Sequence, residues 1–246
     1  DTKAITFSLK KPAGTSAYSE NDLKGFISAF KANVEKIDST LKDENDSDIK
    51  ILLPTDSSGL FYSCSKVTEL NVSNFNTQYV RDMSGMFGYC SGLKSLNVSN
   101  FDTTNVTGMN SMFNGCSGLI SLDVSSFNTQ NVTGMNSMFF NCKGLTELNV
   151  SNFNTQNVRN MMGMFGSCSG LTSLDVSNFD TTNVTEMNSM FYECSGLISL
   201  DVSSFNTKNV TEMNSMFFNC KKLKSLNLAN FNTQNVTNMG AMFALA

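Results

Sequence analysis

Apolar residues recur along this chain at a fixed interval of 26 residues, from about residue 54 to residue 246. The same leucine, phenylalanine, methionine and cysteine positions return in register, and the stretch Ser121–Cys142 matches the stretch Ser199–Cys220 at all but two positions. A fixed period of about 20 to 50 residues indicates a solenoid or a similar array. We therefore predict that each repeat forms one turn of a solenoid, in which identical positions stack into columns.

Each repeat contains two halves with different patterns. In the first half, Leu93–Phe101, apolar and polar residues alternate as in a strand with one buried face. In the second half, Val106–Cys116, the apolar residues fall on one side of a helical projection, and Thr103 is a suitable helix N-cap. Gly118 follows the cysteine, where a left-handed residue can end a helix. The pattern predicts a strand, a turn and a short helix in every repeat.

Stacking follows from the apolar face of the repeat. One repeat cannot bury this face alone, whereas stacked repeats can, because each strand pairs with the same strand of the next turn. We therefore predict an α/β fold with a parallel strand ladder, in which residues 54–246 form about seven repeats with no evident C-terminal cap.

The repeat resembles known bacterial sequences. The stretch L-x-x-L-x-V-x-x-F from Leu93 is similar to the L-x-x-L-x-L of leucine-rich repeats, although Phe101 stands where those carry a buried Asn or Cys. The whole unit, with N-V-T-x-M-x-x-M-F-x-x-C-x-x-L, resembles the 26-residue Listeria-type lipoprotein repeats, which are related to BspA-like leucine-rich proteins and to mycoplasma surface proteins. This resemblance implies a right-handed leucine-rich-repeat-like solenoid in an exported or surface-anchored protein, often an adhesin, with no catalytic residues to transfer.

The first 53 residues lie outside the repeats and carry a much higher density of charge. Alternation predicts a strand over Ala4–Lys11, helical spacing predicts a helix over Asn21–Lys42, and Ile49–Pro54 is typical of a second strand. We interpret residues 1–53 as an N-terminal strand–helix–strand unit that caps the first turn. A small independent domain is the alternative.

Composition narrows the classes of function. The net charge of −4 and the absence of a basic stripe argue against a nucleic-acid partner. No apolar run approaches the roughly 18 residues of a membrane span. The chain has no histidine and no C-x-x-C pair, so we predict no metal site, no cofactor and no catalytic residues.

Several columns have two interpretations. The seven cysteines are predicted to be buried reduced thiols, with disulfides between adjacent turns as the alternative. The threonine column is predicted to cap the helices, with an ice-binding array as the alternative. The glycosylation sequons at Asn105, Asn131 and Asn209 are interpreted as a by-product of the repeat.

Two sets of residues are candidate binding sites. The first is a polar stripe on the exposed side of the predicted strands, which could bind a ligand or be a solvated face. Its residues are Asn97, Asp123, Asn149, Asp175, Asp201 and Asn227. The second is an aromatic edge at the predicted helix ends, which could contact a partner or pack locally on the next turn. Its residues are Tyr89, Phe140, Tyr192 and Phe218.

Together with the resemblance, the sequence favours a non-enzymatic recognition or adhesion module. This module is expected to be extracellular, either anchored to a bacterial cell surface or secreted. Its expected partner is a host or environmental protein or glycan. The alternatives are a structural spacer or self-assembling scaffold subunit, and an ice- or polysaccharide-binding protein. The last strand, Ser225–Phe231, has no following strand in this sequence, so an end-to-end homodimer through the last turn is also expected.

Overall fold

The computed structural model describes residues 4–6, 36–38 and 50–246, and its named strands are short and pair in parallel. They are β1 (Ala4–Thr6), β2 (Lys36–Asp38), β3 (Ile51–Leu52), β4 (Glu69–Asn71), β5 (Phe75–Asn76), β6 (Ser173–Leu174) and β7 (Ser199–Leu200). The first sheet has the order β1-β2-β4, while β3 pairs with β5 and β6 pairs with β7. All of these pairs join segments from successive passes of the chain.

A ladder of single parallel bridges links the repeats. Each bridge joins a residue to its equivalent 26 positions later, so the chain advances by one turn per repeat. The bridged residues are Asp56, Asp82, Gly108, Gly134, Asn160, Glu186, Glu212 and Asn238. Unbroken pairing of equivalent residues defines a solenoid of stacked parallel turns, which confirms the coarse fold predicted from the period.

The core is built from apolar columns that run along the solenoid. A middle turn contributes nine apolar positions, of which Leu96 is the most exposed at 6%. They are Leu93, Leu96, Val98, Phe101, Val106, Met109, Met112, Phe113 and Cys116. One phenylalanine column, Phe61 to Phe243, forms a continuous stack whose ring centroids lie 5.5–5.8 Å apart. Each turn therefore buries its apolar side chains against the turns before and after it.

The short helix predicted for the second half of each repeat is not confirmed, since turns form this segment throughout residues 50–246. In the turn that holds Phe87, its N–H donates to the oxygen of Met112 in the next turn, at 2.9 Å. The neighbouring N–H groups of Met86 and Gly88 instead donate to oxygens three residues earlier. Gly85 and Tyr89 both have positive φ, which reverses the chain twice within five residues. Two successive tight turns thus give the same apolar spacing as one helix.

The glycine after each cysteine was predicted to end that helix in a left-handed conformation, and this prediction is wrong. Gly118 does not have a positive φ; instead, a Cβ there would lie 2.4 Å from the oxygen of Ser91 and 2.6 Å from that of Leu93. The preceding turn passes equally close to Gly92, Gly144, Gly170 and Gly196, so glycine avoids a clash at these five positions. Lys222 stands in the same column in the last turn.

The N-terminal predictions have mixed outcomes. β1 and β3 lie within the two predicted strands, but β2 lies within the predicted helix, so that prediction is wrong at Lys36–Asp38. The rest of the predicted helix falls outside the described residues. Ile37 pairs with Leu70 of β4 and is buried, and the Lys36 ammonium lies 2.6 Å from the Glu69 carboxylate. β2 therefore continues the leucine column by one step, while the boundary at residue 53 stays a prediction.

Candidate functional site

A shallow groove runs across successive turns on the face where β6 and β7 lie. Its main part has a volume of about 530 Å³ and is lined by Ser121–Asp123, Glu147–Asn149 and Ser173–Asp175. A second part of about 360 Å³ continues it over Ser173–Asp175, Ser199–Asp201 and Ser225. In each turn from Leu122 to Leu200 the leucine forms the floor and is only 6–8% exposed, while the residues on either side form polar rims. We call this region the strand-face groove.

The polar stripe predicted from the sequence borders this groove. All six of its residues are exposed, and Asp123, Asn149, Asp175 and Asp201 line the groove, while Asn97 and Asn227 continue the column beyond it. Glu147 also lines the groove, and the prediction missed it. Its signal was present in the sequence, because a glutamate replaces the serine that most turns carry at that position.

Local hydrogen bonds fix the side chains of the stripe. The Oδ1 atom of Asp123 accepts from the backbone N–H of Ser125 at 2.9 Å, and the other five members make the same contact two residues on, at 2.9–3.1 Å. Hydrogen bonds from the hydroxyl and the backbone N–H of the serine lower the pKa of Asp123, and the same holds for Asp175 and Asp201. The groove thus carries preoriented carboxylates that stay ionised at neutral pH.

The rings of the predicted aromatic edge lie along the array as two pairs and one single ring. Tyr89 packs edge-on against Tyr62, with ring centroids 5.4 Å apart, and Tyr192 stacks on Phe218 at 5.1 Å. Phe140 lies between these pairs along the array and covers Gly166. Tyr62 was missed by the prediction, although it occupies the Phe140 column in the first, irregular repeat.

The threonine column neither caps helices nor forms a flat exposed array. Thr129 is 1% exposed; its hydroxyl donates to the oxygen of Asn154 at 3.0 Å and accepts from the N–H of Asn154 at 2.7 Å. The threonines therefore connect consecutive turns inside the molecule, which removes the structural basis for ice binding through this column.

The asparagines of the sequons also form hydrogen bonds between turns. The side-chain amides of Asn105, Asn131 and Asn209 each donate to a backbone oxygen of the preceding turn, at 2.7–2.9 Å. Each of these amides is thus a structural donor, in agreement with the interpretation of the sequons as by-products of the repeat.

The cysteine column consists of free, buried thiols, as predicted. From Cys90 onward, each thiol donates to the oxygen of a phenylalanine in the preceding turn, at 3.0–3.2 Å. Burial raises the pKa of Cys116 to about 12 and that of Cys220 to about 11. Within residues 4–6, 36–38 and 50–246, no group of acidic, histidine or cysteine side chains could hold a metal ion, and no helix is long and apolar enough to cross a membrane.

Comparison with known proteins gives a family match and a structural similarity. A family model described as "Mycoplasma protein of unknown function, DUF285" matches residues 55–174 and again residues 162–246. No curated protein matches the chain. The crystal structure of a leucine-rich repeat protein from Bacteroides ovatus is similar over 83% of this chain and 68% of its own, with 17% identity and a TM-score of 0.26. At that TM-score the likeness carries no argument. The family model, which matches the chain in two consecutive stretches, supports a repeat family, and the narrower Listeria-type assignment stays a prediction.

Proposed function

We propose, for a chain that belongs to the DUF285 family of Mycoplasma proteins, that the repeats form a non-enzymatic recognition module that binds a protein through the strand-face groove. The observation that carries this proposal is the groove itself, which extends over at least three turns with an apolar floor and charged rims. A location on the cell surface and a role in adhesion belong to the same proposal. They rest on the resemblance of the repeats to those of bacterial surface proteins.

The chemistry of the groove suits a protein partner. Leu122, Leu148 and Leu174 offer an apolar strip, and the carboxylates of Asp123 and Asp175 stand beside it. Protein interfaces combine an apolar centre with a polar, hydrated rim. Successive turns lie about 4.8 Å apart, so the groove presents the same chemistry at regular intervals to an extended segment of the partner. The exposed carboxylates favour a basic segment.

The test uses substitutions that the repeat itself supplies. Asp123→Asn, Asp175→Asn and Asp201→Asn reproduce the asparagine of other turns, and Glu147→Ser reproduces their serine, so the hydrogen bond to residue i+2 is kept. We call this combination the neutral-groove variant. The 246-residue chain and this variant would be compared on a panel of extracellular matrix and host-surface proteins by surface plasmon resonance.

We expect at least one saturable protein partner, whose affinity falls about tenfold or more in the neutral-groove variant because several rim charges are lost. The matched control is Asn97→Ser with Asn227→Ser, which alters the same column outside the groove and should leave the affinity unchanged. The proposal fails if no protein on the panel binds at about 100 μM, or if the control variant loses as much affinity as the neutral-groove variant.

A further inference from the structure

We propose that the aromatic edge, formed by Tyr62, Tyr89, Phe140, Tyr192 and Phe218, is a binding site for a linear, uncharged β-1,4-linked glycan. This site and its ligand go beyond the protein-binding role proposed for the strand-face groove. The inference rests on how the rings are seated, how they are spaced and which polar groups surround them.

Glycines in the following turn leave space that aromatic rings of the edge occupy. A Cβ at Gly115 would lie 2.8 Å from Cδ1 of Tyr89, and a Cβ at Gly166 would lie 2.6 Å from Cε2 of Phe140. The same relation holds between Gly88 and Tyr62, at 2.9 Å. Each of these three rings therefore occupies space that a side chain in the following turn would fill, while Tyr192 stacks on Phe218 instead. Tyr62 and Tyr89 still keep 42% and 44% of their surface exposed.

The spacing of the rings suits a repeating ligand. Phe140 and Tyr192 occupy the same column two turns apart, and Tyr89 lies one position off this column two turns before Phe140. Two turns of a parallel ladder measure about 10 Å. In an extended β-1,4-linked glycan, successive sugars face opposite ways, so the same face returns once per disaccharide, over a similar length. The apolar C–H face of a pyranose packs well against an aromatic ring, which offers a large flat contact area.

The charge of the edge favours a neutral ligand. The segments that carry the rings, from 58–63 through each equivalent to 214–219, contain a single charged residue, Glu193. Their other polar groups are asparagine and serine side chains, which can hydrogen-bond to sugar hydroxyls.

The edge and the groove therefore differ in the ligand they can recognise. The groove has ionised carboxylates beside leucine, whereas the edge has aromatic rings among neutral amides and hydroxyls, with Glu193 as its single carboxylate. A protein patch or a second copy of this chain could also cover exposed aromatics, and the experiment below separates these occupants from a glycan.

The test is isothermal titration of the 246-residue chain with cellohexaose and chitohexaose, which are linear β-1,4-linked hexamers, and with maltohexaose, whose α-1,4 linkages curve the chain. We expect saturable binding of at least one β-linked hexamer and binding of maltohexaose that is about tenfold weaker or less. Phe140→Ala and Tyr192→Ala should each weaken binding about tenfold, since a central aromatic contact carries much of the affinity of a small interface. Phe140→Tyr and Tyr192→Phe should keep it.

Two control variants and a stability measurement distinguish loss of the glycan site from loss of the fold. Tyr79→Ala removes a tyrosine that is 56% exposed and lies outside the edge, so it should leave glycan affinity unchanged. The neutral-groove variant should also bind glycan normally, whether or not a protein partner of the groove is found. Thermal unfolding of every variant identifies any loss of affinity that is caused by loss of the fold.

Several results would overturn the proposal. These are the absence of binding of both β-linked hexamers at millimolar concentration, equal binding of maltohexaose, full affinity in Phe140→Ala, or an equal loss in Tyr79→Ala. Loss of self-association or of a protein partner in the edge variants, without any glycan binding, would assign the edge to that occupant instead.

Discussion

The middle turns and the last turn carry the same residue type in most apolar columns, yet several of these side chains differ in exposure. Phe217 and Met213 are fully buried, whereas their equivalents Phe243 and Met239 are 49% and 46% exposed. The cause is the following turn, which covers each middle turn and accepts its hydrogen bonds: the N–H of Phe217 donates to the oxygen of Met242, 2.9 Å away. A turn is therefore stable because of its neighbours, as expected for an array whose energy comes from nearest-neighbour interfaces.

The largest difference is expected in the stacked phenylalanine column. Phe139 is fully buried between Phe113 and Phe165, so Phe139→Ala should reduce the free energy of unfolding by about 3–5 kcal/mol. Phe243→Ala should cost less than about 1 kcal/mol, because the ring is half-exposed and has one stacking neighbour in the chain. Urea unfolding followed by circular dichroism measures both values. Equal losses would show that turns are stabilised independently of their neighbours.

A smaller difference is expected in the threonine column. Thr129→Val keeps the shape of the side chain but leaves the part-buried N–H and oxygen of Asn154 without their partner in the preceding turn, so we expect a loss of about 0.5–1.5 kcal/mol. The exposed equivalent Thr233 should tolerate the same change with a loss below about 0.5 kcal/mol. Urea unfolding again provides the measurement, and Thr129→Ser, which keeps the hydroxyl, should recover most of the stability. A neutral Thr129→Val would mean that this bond adds nothing to the contact between turns.

A cysteine in a middle turn and the last cysteine of the column should differ in the reactivity of their thiols. Burial raises the pKa of Cys116 to about 12 and that of Cys220, the last of the column, to about 11. At pH 8 the thiolate fraction of Cys220 is therefore higher, and maleimide labelling followed by mass spectrometry should find it labelled first of the two. Faster labelling of Cys116 would contradict this order of pKa values.

The same pKa shifts set the direction of a pH effect. Folding raises the pKa of both thiols, so the stability they contribute is fully present below the unfolded pKa of about 8.5 and is lost as the pH rises toward the folded values.

The smallest effect on the fold is expected from substitutions that change only association. Phe243→Glu with Leu245→Lys places charge on exposed positions of the last turn and should barely alter unfolding. The unmodified 246-residue chain should associate end to end with increasing concentration, and the double variant should stay monomeric. Static light scattering over a concentration series measures this. An unmodified chain that is monomeric at about 100 μM would contradict the prediction and the scaffold alternative with it.

The period and the columns could be predicted from the sequence, whereas the path of the backbone could not. Every repeat places apolar residues such as Met109, Met112, Phe113 and Cys116 inside, and both a helix and two consecutive tight turns satisfy that spacing. The turns depend on left-handed residues, and these are Ser111 and Gly115 in this repeat but Ser137 and Asn141 in the next. Because glycine is not required at either position, no residue type marked the reversals.

The candidate sites could likewise be predicted only in part from the sequence. Alternation around Leu122 correctly placed Asp123 on an exposed face, and departures from the repeat marked Phe140 and Tyr192. The groove itself, and the role of Glu147 in it, depend on how neighbouring turns lie side by side, which one repeat does not reveal. The seating of Phe140 on Gly166 likewise joins residues from two turns, so it became visible only when the turns were stacked.

The hydrogen bonds that link the turn segments of successive repeats run in one direction and give this side of the solenoid a net dipole. In the segment 83–89, the N–H groups that cross between turns, such as those of Met83 and Phe87, all point toward the C-terminal end, and the equivalent groups of later repeats do the same. Their peptide dipoles add along this side of the array, which places partial positive charge at its C-terminal end, the reverse of an α-helix. Anionic groups are therefore favoured beyond the last turn on this side, and cationic groups beside the first.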